Sequence, residues 1–161
     1  MSEWINPIYD RTRADVEEAV RKIAEWLKAR ASGANVTTVD LKGCLNVSDI
    51  SRIEGNIAYL GERLTALGYT PSISIRQWNH SGIPNVADIH RIIANIHSLI
   101  LAFYQPPSAP TLPNRMSAHD DINAIEHNLA LLKKLIDTME SSFKVSGTFS
   151  AGGNTHLPIR R

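Results

Sequence analysis

Apolar residues recur three and four positions apart in four separate stretches, with polar residues filling the positions between them. From about Thr12 to Ala31 the stripe is Val16, Ala19, Val20, Ile23, Trp26 and Leu27, which makes Trp26 an expected core residue. Glu17 and Arg21, and Glu18 and Lys22, stand four apart on the other side, the arrangement of a solvated helical face. A second stretch, Val47 to Leu67, carries Ile50, Ile53, Ile57, Leu60, Leu64 and Leu67, and Gly68 supplies a common C-terminal stop. A third, Val86 to Phe103, repeats the seam at Ile89, Ile92, Ile96, Leu99 and Phe103 and adds Ile93 and Ile100, a wider face that marks the most buried helix. A fourth, Ala118 to Phe143, places Ile122, Ile125, Leu129, Leu132, Ile136 and Met139 on one side. The pattern predicts a mainly α fold, a bundle of about four amphipathic helices.

The segments between the helices read differently. Residues 69–84 hold one short alternation, Ile73 and Ile75, which predicts a loop with at most a short strand. Residues 105–115 are rich in proline, and each proline fixes its own backbone and biases its predecessor away from helix, so a stiff linker is expected. After Phe143 the composition turns to Gly, Ser and Thr. The organisation predicted is a helical bundle over 1–143 and an extended arm over 144–161. Gly147, Gly152 and Gly153 weaken the arm as an independent fold, yet Val145, Phe149, Leu157 and Ile159 are too apolar for a simple spacer. The arm is therefore expected to order on a neighbouring chain, as an added strand or a clasp.

Aligning the helix starts reveals an internal repeat: Asp49-Ile-Ser-Arg-Ile-Glu-Gly-Asn56, Asp88-Ile-His-Arg-Ile-Ile-Ala-Asn95 and Asp121-Ile-Asn-Ala-Ile-Glu-His-Asn128. Asp15-Val16 with Lys22-Ile23 reads as a degenerate copy in the first helix. Polar residues lie three before the first aspartates, as Thr12 before Asp15, Asn46 before Asp49 and Asn85 before Asp88. That is capping-box spacing, in which the cap accepts from a first-turn amide and the carboxylate reaches back to the cap's own N–H. In the fourth helix the box shifts to Ser117 and Asp120. The asparagines 56, 95 and 128 each precede a seam position, and are expected to bond across to backbone or to a packing interface.

Composition and charge remove several function classes. The 161 residues carry 17 basic and 16 acidic side chains, a net charge of +1, so the field that a phosphate-tracking protein relies on is absent. Nucleic acid is not an expected partner. No apolar run reaches the ~20 residues that cross a bilayer, and the amino terminus lacks the pattern of a secretory signal, so synthesis in a cytoplasm is expected. Cys44 stands alone. His90 and His97, or His119 and His127, are seven and eight apart, unlike helix positions that share a ligand, and no hydrolase, P-loop or dinucleotide motif is present. The expectation is no enzyme activity, no metal and no cofactor. Trp4 and Trp78 lie outside the helices and are candidate surface aromatics.

Two segments carry a resemblance. Trp4-Ile-Asn-Pro7-Ile-Tyr-Asp10-Arg11-Thr12 and Asp49-Ile-Ser-Arg52-Ile53-Glu54-Gly-Asn56-Ile57 resemble the opening segments of minor structural proteins of tailed phages and prophages of Gram-positive bacteria. The ending, Ser146-Gly147-Thr-Phe149-Ser-Ala-Gly152-Gly153-Asn154, is similar to a terminal segment among them. The likeness thins between Tyr69 and Arg115; Ile50-Ser51 stands where that family has Leu-Asn, and Cys44 where a small residue is usual. The resemblance implies a virion component of the tail, baseplate or tail fibre, with other tail or baseplate proteins as partners and a homo-oligomeric state. The alternative is a module of the same particle that binds a receptor or host-surface glycan. A small cytoplasmic regulator that binds other proteins is a third reading.

Overall fold

A computed structural model describes residues 2–79 and 84–146, with side chains through residue 143. Four helices account for its regular structure: α1 (Arg13–Ala31), α2 (Val47–Ala66), α3 (Val86–Ala102) and α4 (His119–Ser146). The protein is mainly α, and among the described residues there is no strand, including the stretch around Ile73 and Ile75. Capping boxes start α1 at Thr12 and Asp15, α2 at Asn46 and Asp49, and α3 at Asn85 and Asp88. At α4 the repeat register governs instead of the expected Asp120: the Asp121 carboxylate accepts from the N–H groups of Ser117 and Ala118 at 2.7 and 2.9 Å. Asp120 faces solvent.

These caps support a direct expectation. Asn85→Ala should cost about 1 kcal/mol, read as a lower urea midpoint. Asn46→Ala should cost more, because its carboxamide also donates to the carbonyls of Leu41 at 2.9 Å and Cys44 at 3.2 Å, tying the preceding loop to the helix.

The core is made by α2, α3 and α4, whose seams supply Ile53, Ile57, Leu60, Leu64, Ile92, Ile96, Leu99, Ile125, Leu129, Leu132 and Ile136, all fully buried. The three helices run parallel. Arg52 near the start of α2 meets Glu126 early in α4, and Arg63 near its end meets Asp137 and Glu140. Likewise Glu54 meets Arg91 early in α3, while Tyr69 and Phe103, just past the ends of α2 and α3, make an edge-on ring contact at 5.1 Å.

Parallel neighbours need a return segment, and three non-helical straps supply it. The first, residues 2–12, runs opposite to α2: Ser2 bonds Glu62, Ile5 bonds Asn56 and Arg11 bonds Asp49. The second, residues 70–79, runs opposite to α3, with Ser72 on Ser98, Ser74 on Asn95 and Arg76 on Asp88. The third occupies the proline-rich stretch, where Pro106 is buried, Leu112 and Met116 pack on the core, and Pro110 bonds Asn128. The expected linker is thus part of the packed body.

The unit of the repeat is a strap and the helix after it. In the second and third units the clamped residues are 21 and 18 apart, whereas in the first they are 51 apart. The difference is an insertion containing α1 and the loop after it, so α1 is not a degenerate fourth copy. It lies outside the packed pairs α2–α3, α2–α4 and α3–α4. Ala19 is its one buried residue, and Trp26 is partly exposed and outside the core, contrary to expectation. The base of α1 is fixed by Gly43, where an added Cβ would lie 2.0 Å from the Asp15 carbonyl oxygen. At the other end, α4 continues through Ser146, because nothing in Lys144-Val145-Ser146 interrupts a helix before Gly147. The arm therefore starts later than residue 144; Phe149, Leu157 and Ile159 lie outside the described residues.

Candidate functional site

The most concentrated polar chemistry is buried. Between α2 and α4, the Arg52 guanidinium bonds Glu126 at 2.7 Å and Asp49 at 2.5 Å, while Arg11 from the first strap bonds the same two carboxylates at 3.0 and 2.8 Å. Arg11 also bonds the Ile8 carbonyl, and Ile8 N–H donates to Glu126 at 2.6 Å. Two cations and two anions are thereby enclosed together, which offsets the desolvation each alone would suffer. Burial pushes the Asp49 carboxyl up, but the Asn46 N–H, the Arg52 guanidinium and the Arg11 charge outweigh it and hold the group below its ordinary 3.8.

The same constellation recurs one helix on. Between α3 and α2, Arg91 bonds Glu54 at 2.5 Å and lies 3.6 Å from Asp88, and Arg76 from the second strap bonds Asp88 at 2.8 Å. Arginine three after the capping aspartate, glutamate from the neighbouring helix and arginine from the strap hold equivalent places. The Asn85 N–H, against some cost of burial and with help from Arg76 and Arg91, lowers the Asp88 pKa. In the third interface the equivalents of arginine and glutamate are Ala124 and Ile93, so apolar residues stand at both places of the pair. The neighbouring Asp121 is also lowered: burial opposes this, and the Ser117 and Ala118 N–H groups prevail.

These directions set the acid behaviour. Each carboxylate binds its proton less tightly in the folded chain than in the unfolded one, so the unfolded chain holds more protons in the window below the ordinary value of 3.8. The stabilisation is complete above roughly pH 5 and is lost as pH falls through the folded pKa values. Melting temperature should be flat from neutral pH to about 5 and fall steeply below about 4, as circular dichroism would read.

The repeated asparagines act as clamps on the straps. Asn56 accepts from Ile5 N–H at 3.0 Å and donates to Ile5 C=O at 2.8 Å; Asn95 does the same with Ser74 at 2.9 and 2.7 Å. Asn128 donates to Pro110 C=O at 2.8 Å, but proline has no N–H to return, and the Asn128 Oδ1 is buried without a partner. Asn123 makes a further two-way clamp on Arg11. Sequence reasoning found the three asparagines and missed Arg11, Arg52, Glu54, Arg91, Asn123 and Glu126. The signal was present as matched positions in two copies, Arg52 with Arg91 and Glu54 with Glu126.

The two tryptophans do not stand free on the surface. Trp4 is partly buried against the core, 5.6 Å from the Tyr59 ring with Lys133 over its face. Trp78 also packs on the core, donates its indole N–H to Glu54 at 3.2 Å and lies under Arg76 at 4.4 Å. An amphipathic ring with a polar edge suits such a seam between strap and helix.

The exposed apolar surface lies elsewhere. A groove of about 650 Å³ beside α2 is lined by Ala58, Tyr59, Gly61, Arg63, Pro71 and Ile73. On α1, Val20 is 63% exposed, Ile23 38% and Leu27 62%. Among the described residues no three of His, Cys, Asp or Glu converge as metal ligands would, and no helix is long and apolar enough to cross a membrane. His127 stacks on Tyr9 at 4.6 Å.

No protein-family model matches the chain, and neither the curated proteins nor the solved structures give a match.

Proposed function

We propose that the protein is a structural component of a phage tail or phage-tail-like particle, not an enzyme, and that it acts through contacts with other proteins, itself included. The observation that supports this is how the two segments resembling tail proteins are used. Trp4 to Thr12 and Asp49 to Ile57 bond to each other, Ile5 to Asn56 and Arg11 to Asp49, with Glu126 joining Arg11 and Arg52. The shared residues are thus a folding signature of strap and helix. Their charged groups, Arg11, Asp49, Arg52 and Glu126, are committed to one another in holding strap to helix. A rigid body with an uncovered helix face suits assembly better than turnover.

The test is to purify particles induced from the strain that encodes the chain and to search them by mass spectrometry and by a specific antibody. The chain should be present at a fixed ratio to the major tail protein, and its gene should lie among tail genes. Absence from intact particles would overturn the proposal. The glycan-binding alternative would use Trp4 and Trp78, which are partly buried against the core, together with the terminal arm, most of which lies outside the described residues.

A further inference from the structure

The uncovered face of α1 is a regular seam. Val16, Val20, Ile23 and Leu27 are separated by four, three and four residues, so they form one straight stripe, the spacing of helices that pack along their length. Most of it is uncovered: α1 lies outside the three closely packed helix pairs, and Val20, Ile23 and Leu27 are exposed while Val16 is partly buried. We propose that this face binds the same face of a second copy, with the two α1 helices antiparallel about a two-fold axis between Val20 and Ile23. The inference deepens the assembly reading by naming one partner, a second copy of this chain.

Three features select that occupant and that direction. The stripe is self-complementary when reversed, because Val16 then faces Leu27 of the other copy and Val20 faces Ile23, large against small at every level. Charge agrees on the flank. Glu17, two-thirds exposed and already beside Arg13 at 2.9 Å, comes within reach of Lys28 of the second copy, twice by symmetry. A parallel pair would set each charge level with its own copy. Third, the stripe does not end at Val16: a groove of about 380 Å³ adjoins it, lined by Leu45, Met116 and Ile122 together with the polar Ser117 and His119. The reversed partner brings its last turn, beyond Leu27, over this groove, and the symmetric contact does the same at the other end.

The stripe spans about 17 Å of helix, which by itself makes a small interface and a reversible dimer. In a particle with many copies, such contacts gain from their number.

The test uses the full chain in sedimentation equilibrium from low-micromolar to submillimolar concentration. A monomer–dimer equilibrium is expected, and Ile23→Lys or Leu27→Lys should raise its dissociation constant at least tenfold while helix content and melting temperature stay as in the parent, since the face is exposed in the monomer. Orientation is read on a Cys44→Ser background. A mixture of Val16→Cys and Leu27→Cys chains should cross-link on mild oxidation, and neither chain alone should do so. Glu17→Lys should weaken the dimer and Lys28→Glu in the same chain should restore it. A monomer at every concentration, a dimer indifferent to Ile23→Lys and Leu27→Lys, or self-linking of Val16→Cys would each overturn the inference. A chain that is monomeric yet present in particles would overturn this contact and leave the assembly reading intact; a dimer absent from particles would do the reverse.

Discussion

Glu126→Gln should lower the free energy of unfolding by about 3–5 kcal/mol, the range for removing one partner from a buried ion pair. The carboxylate is fully buried and receives Arg11, Arg52 and the Ile8 N–H. Glutamine keeps the shape but leaves two buried guanidinium groups with Asp49 as their one anion. Domains are stable by about 5–15 kcal/mol in total, so the variant should unfold at a far lower urea concentration, with little change in the slope of the transition. Glu18→Gln is the control, because Glu18 pairs with Arg21 in solvent and should leave the midpoint unchanged. The third interface suggests the compensating change. Arg52→Ala combined with Glu126→Ile copies Ala124 and Ile93, and should be more stable than Glu126→Ile alone. A parental midpoint for Glu126→Gln would show that water screens the cluster and that the straps are held by other contacts.

The helices and three of their starts were legible in the sequence because both depend on local spacing, three-and-four periodicity for the seams and a three-residue interval for the boxes; at α4 that interval pointed to Asp120 where Asp121 takes the role. Long-range partners were legible only in part. A seam position looks the same whatever covers it, which is why Trp26 read as core although α1 lies outside the packed pairs. The straps were missed for a related reason. An extended segment held by side-chain amides needs no alternation of its own, and residues 105–115 carried the signature of a linker while burying Pro106 and packing Leu112 on the core. Buried arginine and glutamate resemble solvated residues on any composition scale. Their repetition at matched positions, Arg52 with Arg91 and Glu54 with Glu126, separates them from the surface pairs of α1, which lies outside the repeat.

The clamp asparagines give the second large effect, and it should differ between copies. Asn56→Leu keeps much of the side-chain volume but leaves the Ile5 N–H and C=O without their partners, two backbone groups at the edge of the core. Stranding a buried polar group costs about 1–3 kcal/mol, and the part-exposure of Ile5 places the pair toward the lower end, so a loss of about 2–3 kcal/mol is expected. Asn95→Leu should behave alike through Ser74. Asn128→Leu should cost clearly less: it strands the Pro110 carbonyl alone and removes an oxygen that is already buried without a partner. The comparison is made by urea unfolding of the three single variants. Hydrogen exchange adds a local reading, since the Ile5 amide should lose protection in Asn56→Leu well before the α2 core amides do. Equal losses at all three positions would mean that the asparagines act through packing volume. A larger loss at Asn128 than at Asn56 would show that the missing proline N–H has been replaced by a bound water, which the buried Oδ1 would then share with its neighbours.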